Sequence, residues 1–447
     1  MNICFIAKDQ PWRFYAGGIA TYLESITPYL AGHGHTVHII SLSYGKEEDY
    51  EVNGVHIHGI RIPEDNKKMR LVKQLRYFFM PKFVTFFIED IILYKRFKEL
   101  ERQYDFDIIE SDDVSGSSLL ITLFCKKPVI TRAHGSSFLV EWLNRNAANA
   151  IATTATAATT AHAKHKEKFM DRIQSRLVYY MESLQYRRSA LVVANSKATM
   201  QLTQSVYHLQ GHKGKNFSYL YIPHYALHAQ SIFTEREETL QSLRITTPFI
   251  LYVGRIEYRK GLMVLARAIG PVLRRHPNLH LYIVGFNTEE ETVAIIKYYM
   301  QELSDLQDRI HFRPSTIRSR VYALMRSCEF VVLPSIMEPF GYTCTEAMAT
   351  GALVVAADGS GYAEQIARSG VNGLLFKNKD SRSLEKQMEK ALALSPAEKG
   401  RIIAHARKRQ EYFQSDELLK QHLALYYTVA AGKTHLALGQ LKEQQLR

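Results

Sequence analysis

The chain is poor in cysteine. It has four cysteines among 447 residues, and they are scattered without the close spacing of a metal site or a disulfide scaffold. No uninterrupted apolar run is long enough to cross a bilayer. No basic leader precedes the first apolar stretch, so we expect no signal peptide. These absences suit a protein of the reducing cytoplasm.

Acidic residues are fewer than basic ones. The chain has 57 lysines and arginines against 44 aspartates and glutamates, a formal net charge of +13. Such an excess favours a polyanionic partner: a phosphorylated substrate, an anionic lipid surface or nucleic acid. No nucleic-acid module has its signature here, so we expect no nucleic-acid partner. No G-x-G-x-x-G follows the first strand, which argues against a nicotinamide-dependent oxidoreductase.

Residues 329–351 carry the strongest pattern in the chain. Residues 329–333 are a short, β-rich apolar run that predicts a buried strand. Pro339 and Gly341 predict a tight turn, and the helix that follows stops at Gly351. The first amides of a helix have no partner inside it, and its dipole favours negative charge there. This strand–turn–helix unit is therefore suited to hold an anion.

Two glutamates bracket this turn. Glu338 precedes it and Glu346 lies inside the helix, with seven residues between them. Val-Leu-Pro-Ser precedes the turn and Glu-Ala-Met-Ala-Thr-Gly follows it. With these flanks, the stretch resembles the E-x7-E motif of the retaining glycosyltransferases of family GT4 (glycosyl transferases group 1). The resemblance implies that Glu346 holds ribose hydroxyls and that Glu338 positions the transferred sugar. On the residues alone, a surface turn with a dipole-complementing Glu346 is the other interpretation.

A second strand–loop–helix unit starts at residue 249. Its loop supplies Arg255 and Lys260, a guanidinium fork and a point charge that suit phosphate oxygens. The segment matches the phosphate-binding loop of the same family; charged side chains that only face water are the alternative. Where the family usually continues Phe-x-Gly, this chain has Phe312-Arg313-Pro314. That turn normally touches the nucleotide base, so Arg313 is a candidate contact to the base.

The turn after Glu338 completes the donor site that the resemblance implies. Its members are Phe340, Gly341, Tyr342 and Thr343, whose amides would share the charge of the donor diphosphate with the loop cations. With that charge neutralised by the protein, we expect no metal ion and no other cofactor.

Two features of the first half match the same family. Gly17-Gly18 opens a helix after the first strand, where the family's glycine pair faces the donor phosphates or the acceptor. His134 stands in Thr-Arg-Ala-His-Gly-Ser-Ser after another strand, and in the family such a histidine hydrogen-bonds the transferred sugar, which makes it a catalytic candidate. A ligand-free tight turn and a structural histidine are the alternatives.

The predicted architecture is α/β. The alternation of strands and helices gives two doubly wound, Rossmann-like domains with anion sites at their strand ends. The resemblance implies the GT-B fold, in which two such domains face each other across a cleft. We expect an acceptor-binding domain over residues 1–228, a donor-binding domain over 245–415, a linker between them, and a last helix, 416–430, that packs back on the first domain.

Two segments are unusual. Residues 67–104 interleave basic and aromatic side chains and are split by Pro81. They suit either helices lying on an anionic membrane surface or aromatics packed on the domain's own sheet. Residues 147–163 are almost entirely alanine and threonine, which predicts a variable excursion without chemistry of its own.

The resemblance implies glycosyl transfer from a UDP- or GDP-sugar with retained anomeric configuration. The basic–aromatic segment points to a glycan or lipid-linked acceptor in polysaccharide or cell-envelope synthesis, with the enzyme peripheral on the inner face of the membrane. A small soluble sugar acceptor stays open. So does a non-catalytic, membrane-associated scaffold that keeps the fold.

Overall fold

The computed structural model describes residues 1–12, 17–43, 48–61, 81–152, 169–210, 216–224, 236–243, 245–286 and 290–436. Residues 67–80 of the basic–aromatic segment, 153–163 of the Ala/Thr segment and 225–235 of the predicted linker lie outside these ranges. The chain forms two compact units. The first comprises Met1–Glu141, Lys166–Pro223 and Ser415–Arg447, and the second comprises Trp142–His165 and His224–Gln414.

The first unit is built on an eight-stranded sheet in the order β3-β4-β2-β1-β5-β6-β7-β8. All neighbours pair in parallel except β3 and β4. The inner strands are buried on both faces because helices cover both sides of a parallel sheet. The strands are β1 Asn2–Ala7, β2 Thr36–Ser43, β3 Glu48–Val52, β4 Val55–Arg61, β5 Ile108–Asp112, β6 Val129–Ala133, β7 Leu191–Ala194 and β8 Phe217–Tyr219.

The exception is the hairpin that Asn53-Gly54 predicts. Both residues have positive φ, 52° and 76°, as a two-residue turn of type I′ requires. The hairpin ends the sheet with a short antiparallel strand whose residues are mostly exposed.

Among the described residues, seven helices lie in the first unit or, in the case of Ser137–Ala152, begin in it. The second of them buries Leu93, Phe97 and Leu100 in a core with Phe106 of the following loop, while Phe87 stays 39% exposed. Part of the basic–aromatic segment therefore packs on its own domain. The helices are α1 Gly18–Gly32, α2 Pro81–Tyr104, α3 Leu119–Phe124, α4 Ser137–Ala152, α5 Phe169–Arg188, α6 Lys197–Val206 and, at the far end of the chain, α15 Asp416–Ala430.

The second unit holds a six-stranded, all-parallel sheet in the order β11-β10-β9-β12-β13-β14. Its strands are β9 Phe249–Val253, β10 His280–Phe286, β11 Ile310–Pro314, β12 Phe330–Leu333, β13 Val354–Ala357 and β14 Leu374–Phe376. Its helices are α7 Arg236–Ser242, α8 Leu262–Arg275, α9 Glu290–Glu302, α10 Arg318–Ser327, α11 Tyr342–Thr350, α12 Gly361–Ile366, α13 Ser381–Ala393 and α14 Pro396–Tyr412. Two doubly wound α/β units are thus confirmed.

α7 and α14 of the second unit were not predicted from the sequence. α7 lies in the segment predicted as a linker and packs on α10. α14 begins with a capping box, in which Ser395 accepts from the Glu398 amide and the Glu398 carboxylate accepts from the Ser395 amide. Ser-x-x-Glu before a periodic run is a sequence signal for a helix start, so α14 was predictable. The Ala-rich residues 147–152 also continue α4 rather than leaving regular structure, because alanine favours helix.

In each sheet, successive strands are first added on one side of the first strand and then on its other side. In the first unit β1 lies between β2 and β5; in the second, β9 lies between β10 and β12. Ligands of open α/β sheets bind outside the carboxyl ends of the strands at such points. Most of the predicted site residues follow β1, β6, β9 or β12, at these edges.

Candidate active site

In the second unit, the loop after β9 and the turn after β12 are in direct contact. Gly261 has φ +73°, and a Cβ on it would lie 1.8 Å from the carbonyl oxygen of Pro334, so only glycine fits. The amide of Ile336 donates to the carbonyl of Arg259 at 2.8 Å. The predicted phosphate loop and the first glutamate of the E-x7-E motif are therefore neighbours.

Five charged side chains cluster at this contact. Lys260 forms an ion pair with the carboxylate of Glu338, and Arg259 Nη1 lies 4.0 Å from the same carboxylate. Arg259 Nε and Arg255 Nε each lie 2.9 Å from an oxygen of Glu257. The Arg255 side chain is 65% exposed, whereas the other four are largely buried. Three cations thus face two carboxylates, which leaves positive charge for an anionic ligand.

Burial and charge act on these groups in opposite directions. Burial raises the pKa of Glu338, but Lys260, Arg259 and Arg255 outweigh it and hold that pKa below its ordinary value. Burial lowers the pKa of Lys260, and the attraction of Glu338 offsets only part of this. Glu338 is therefore an ionised carboxylate at neutral pH.

The turn between the two glutamates is held in a strained path. Gly341 has φ +91°, and a Cβ on it would lie 2.0 Å from the ring of Tyr362. Gln365 Nε2 donates to the carbonyls of Phe340 and Gly341 at 2.5 and 3.2 Å. α11 begins at Tyr342, so the first-turn amides of Tyr342 and Thr343 carry the partial positive charge of a helix start.

Glu346 lies on the same helix in a buried polar setting. Its side chain is 15% exposed, and burial raises its pKa, while Arg318 and a hydrogen bond from Tyr322 lower it. His224 is fully buried beside it, with Nε2 4.0 Å from a Glu346 oxygen and Nδ1 2.9 Å from the Thr345 hydroxyl. Burial and Arg318 lower the pKa of His224 to about 3, so this histidine is neutral.

Three of these neighbours, His224, Arg318 and Tyr322, were missed by the sequence analysis. His224 stands 121 positions from Thr345, and no motif links the two. Arg259 was also missed, since the sequence does not tell which of the three cations in this loop is most buried. Arg313 ends the edge strand β11, where its guanidinium lies 5.8 Å from the ring centroid of Tyr282 on β10.

In the first unit, Gly17 precedes α1 in extended backbone, with φ −76°. A Cβ on it would lie 2.7 Å from Oδ2 of Asp9, a side chain that can shift. Gly18 is the first residue of α1. The glycine pair therefore brings the start of a 15-residue helix close to the end of β1.

His134 follows β6 and is fixed at both its backbone and its ring. Its amide donates to Asp113 Oδ1 at 3.0 Å, and Asn195 Nδ2 lies 3.0 Å from its Nδ1. The Tyr22 ring lies 5.3 Å away between centroids. Burial and the charge of Arg132 lower the pKa of His134 to about 3, so it is a neutral imidazole. A small cavity beside it is lined by the ends of β1, β5 and β6 and by α1.

A buried ion pair lies under His134. Arg132 donates through Nε and Nη2 to Glu110 at 3.2 and 3.1 Å, and both side chains are at most 2% exposed. The hydroxyls of Tyr22 and Tyr426 donate to the same carboxylate at 2.7 and 2.8 Å. Tyr426 lies on α15, so the last helix packs at the strand ends of the first unit.

Comparisons with known proteins identify relatives for both units. The model of "Glycosyltransferase Family 4" matches residues 16–214, and that of "Glycosyl transferases group 1" matches residues 235–409. An uncharacterized glycosyltransferase of Methanocaldococcus jannaschii is 24% identical over 85% of this chain and 87% of its own.

Two solved structures show the same fold. Sucrose-phosphate synthase of Thermosynechococcus elongatus superposes with a TM-score of 0.68, at 18% identity, over 97% of this chain and 100% of that one. Anabaena HepE, in complex with UDP-glucose, superposes with a TM-score of 0.64, at 16% identity, over 96% of this chain and 100% of that one.

Proposed function

We propose, from the premise that this chain belongs to the glycosyltransferases of family GT4 and has the GT-B fold, that it moves a sugar from a nucleotide-sugar to a hydroxyl group with retained configuration. The observation that carries this proposal is the charge cluster of the second unit. Arg255, Arg259 and Lys260 stand beside a helix start at the strand ends where α/β sheets bind phosphates.

The leaving group of such a transfer is a nucleoside diphosphate, whose departure requires neutralised charge. In our account Arg255 and Lys260 contact the diphosphate. The buried Arg259 supports them through Glu257 and Glu338, the carboxylates that they share with it. The amides of Tyr342 and Thr343 add fixed dipoles that cost no reorganisation during the reaction. No metal ion is needed in this arrangement.

The configuration is retained, in our proposal, by attack on the face from which the diphosphate leaves. A phosphate oxygen of the leaving group takes the acceptor proton, which needs no carboxylate nucleophile. Glu338 suits that scheme, because its pairing with Lys260 makes it a poor nucleophile and a good anchor for sugar hydroxyls. His134, as a neutral imidazole, hydrogen-bonds the transferred sugar near its reacting carbon.

Glu346 holds the ribose hydroxyls of the donor nucleotide. Its carboxylate is close to Arg318, Tyr322 and His224, which limit its movement. The donor is a UDP- or GDP-sugar in our proposal; the UDP-glucose complex of a protein with this fold supports the first. Arg313 is the candidate contact to the base, two strands away from β9.

The acceptor is a glycan or a lipid-linked sugar at the inner face of a membrane. Exposed aromatics on α2 and α3 support this: Phe124 is 62% exposed, Phe87 is 39% exposed, and the Tyr94 ring lies 6.1 Å from that of Phe124. Basic residues 67–76 extend the same segment. Among the described helices, none is apolar enough over a sufficient length to cross a bilayer.

A small soluble sugar is the second candidate acceptor. It is supported by the shared fold with a sucrose-phosphate synthase, a protein whose name gives a small sugar phosphate as its product.

The test is turnover of a panel of UDP-, GDP- and ADP-sugars with glycan, lipid-linked and free-sugar acceptors. Proton NMR then gives the anomeric configuration of the product. We expect release of one nucleoside diphosphate and a retained anomer. An inverted anomer would exclude the front-face scheme. Loss of turnover with every donor and acceptor, together with intact folding, would favour the scaffold alternative.

A further inference from the structure

Two buried carboxylates of the first unit have no role in the chemistry above. Asp113 follows β5 and Glu182 lies on α5, and each is 1% exposed. No motif singles them out in the sequence. Both accept hydrogen bonds from backbone amides of the short loop that begins at His134.

Asp113 holds the first part of that loop. Its Oδ1 accepts from the amide of His134 at 3.0 Å, and its Oδ2 accepts from the amide of Gly135 at 3.3 Å. The Tyr186 hydroxyl donates to Oδ2 at 2.7 Å and fixes the carboxylate itself. The backbone of His134 is therefore tied to β5, the neighbouring strand.

Glu182 holds the second part of the loop and the start of α4. Its Oε1 accepts from the amide of Ser137 at 2.8 Å, and its Oε2 accepts from the amide of Phe138 at 3.3 Å. The amide of Ser115, in the loop after β5, donates to Oε1 at 3.0 Å, and the Tyr207 hydroxyl donates to Oε2. One carboxyl group thus accepts hydrogen bonds from three segments of the chain.

Asn195, which follows β7, acts on the ring of His134. Its Nδ2 lies 3.0 Å from His134 Nδ1, and it is 1% exposed. A donor at Nδ1 leaves the proton of a neutral imidazole on Nε2. The ring then offers an N–H to an oxygen of its substrate.

We propose that Asp113, Glu182 and Asn195 are positioning residues that fix the backbone and the tautomer of His134 for sugar transfer. The inference rests on the proposed role of His134. None of the three touches substrate; each acts through the loop of residues 134–138. A displacement of about 1 Å at a reacting group costs about a hundredfold in rate, so a frame of this kind controls kcat more than substrate binding.

The test compares Glu182→Gln and Asp113→Asn with a matched control, Asp90→Asn. Asp90 is also a fully buried carboxylate of the first unit and accepts from a backbone amide, that of Leu120, away from the loop. The measurements are kcat, KM for the donor, melting temperature, and hydrogen exchange of the peptide that covers residues 134–138. Tyr207→Phe, which removes one donor to Glu182, is the milder variant if Glu182→Gln does not fold.

We expect faster exchange of residues 134–138 and a kcat lower by about ten- to a hundredfold in the two loop variants, with donor KM within about twofold. The control should keep kcat within about twofold at a similar loss of melting temperature. Unchanged exchange in both loop variants, or an equal loss of kcat in the control, would overturn the inference.

His134→Ala separates this inference from the proposed function. If kcat survives that substitution, the catalytic role of His134 is wrong, whatever the loop does. If kcat falls in His134→Ala but not in the loop variants that exchange faster, His134 is catalytic and the positioning role is wrong.

Discussion

Lys260 is ion-paired with Glu338 across 78 positions of sequence. The pair joins the loop after β9 to the turn after β12, so the two loops that would hold a donor are also held to each other. Both side chains are only 14% exposed, and Arg259 is the second cation at the same carboxylate. A bound diphosphate would therefore meet a cluster that is already ordered.

Breaking this pair should destabilise the second unit. In Lys260→Met, Glu338 keeps the more distant Arg259 and a hydrogen bond from the Tyr362 hydroxyl, but a buried charge that loses its ion-pair partner costs about 3–5 kcal/mol. We expect a loss of at least about 2 kcal/mol in the free energy of unfolding by urea, because some solvent and Arg259 remain. The double variant Lys260→Met/Glu338→Gln should recover part of that loss. Strictly additive losses would show that the two side chains do not interact.

Removal of Arg255 should affect the chemical step. Its guanidinium is 65% exposed beside Glu257, and in our account it contacts the leaving group, so Arg255→Ala should lower kcat by about a hundredfold, the usual effect of losing one charge-stabilising donor. The donor KM should change much less. Steady-state kinetics check this, with Arg274→Ala as control, because Arg274 pairs with Asp305 on the surface. Equal kcat in Arg255→Ala and wild type would remove Arg255 from the mechanism.

The two loop carboxylates should give stability a measurable pH dependence. Burial raises the pKa of Asp113 from an ordinary 3.8 to about 7 and that of Glu182 from 4.5 to about 8. Between these values the folded chain binds more protons than the unfolded chain, so their contribution to stability falls as pH rises from about 4 to about 8. In Glu182→Gln, the free energy of unfolding should fall less steeply between pH 5 and 8 than in wild type. Parallel pH curves would contradict the raised pKa.

Membrane association should depend on the basic residues before α2. Replacing Lys67, Lys68, Arg70, Lys73 and Arg76 by glutamine should weaken co-sedimentation with vesicles that contain anionic lipid, since each basic group near such a surface contributes about 1 kcal/mol. Lys377, Lys379, Lys386 and Lys390 of the second unit, changed together, are the control. Equal binding by wild type and both variants would favour the soluble-acceptor alternative.

The sequence predicted those parts of the molecule that local chemistry determines. Apolar runs gave β1, β9 and β12 within a residue or two, and glycines at positive φ marked the start and stop of α11. The predicted membership of family GT4, the glycosyltransferase activity and the GT-B fold are confirmed by the comparisons. The roles of the individual site residues, the donor and the acceptor stay predictions.

Contacts between segments that are distant in the sequence could not be predicted from it. Glu182 binds the amide of Ser137 across 45 positions, and His224 binds Thr345 across 121. The sequence does not distinguish a buried glutamate on an amphipathic helix from a solvent-exposed one; only the folded structure does. The same holds for Arg259, which is buried, whereas Arg255 of the same loop is exposed.

The donor site is tested most directly by calorimetric titration of UDP, GDP and ADP into wild type and Glu346→Ala. Glu385→Ala is the control, because Glu385 pairs with Arg275 on the surface of the same unit. The account predicts that wild type and control bind UDP or GDP, and that Glu346→Ala loses at least about tenfold in affinity while remaining folded. Equal affinity for that nucleotide in all three proteins would contradict the role of Glu346, and binding of none of the three nucleotides by folded wild type would contradict the donor site itself.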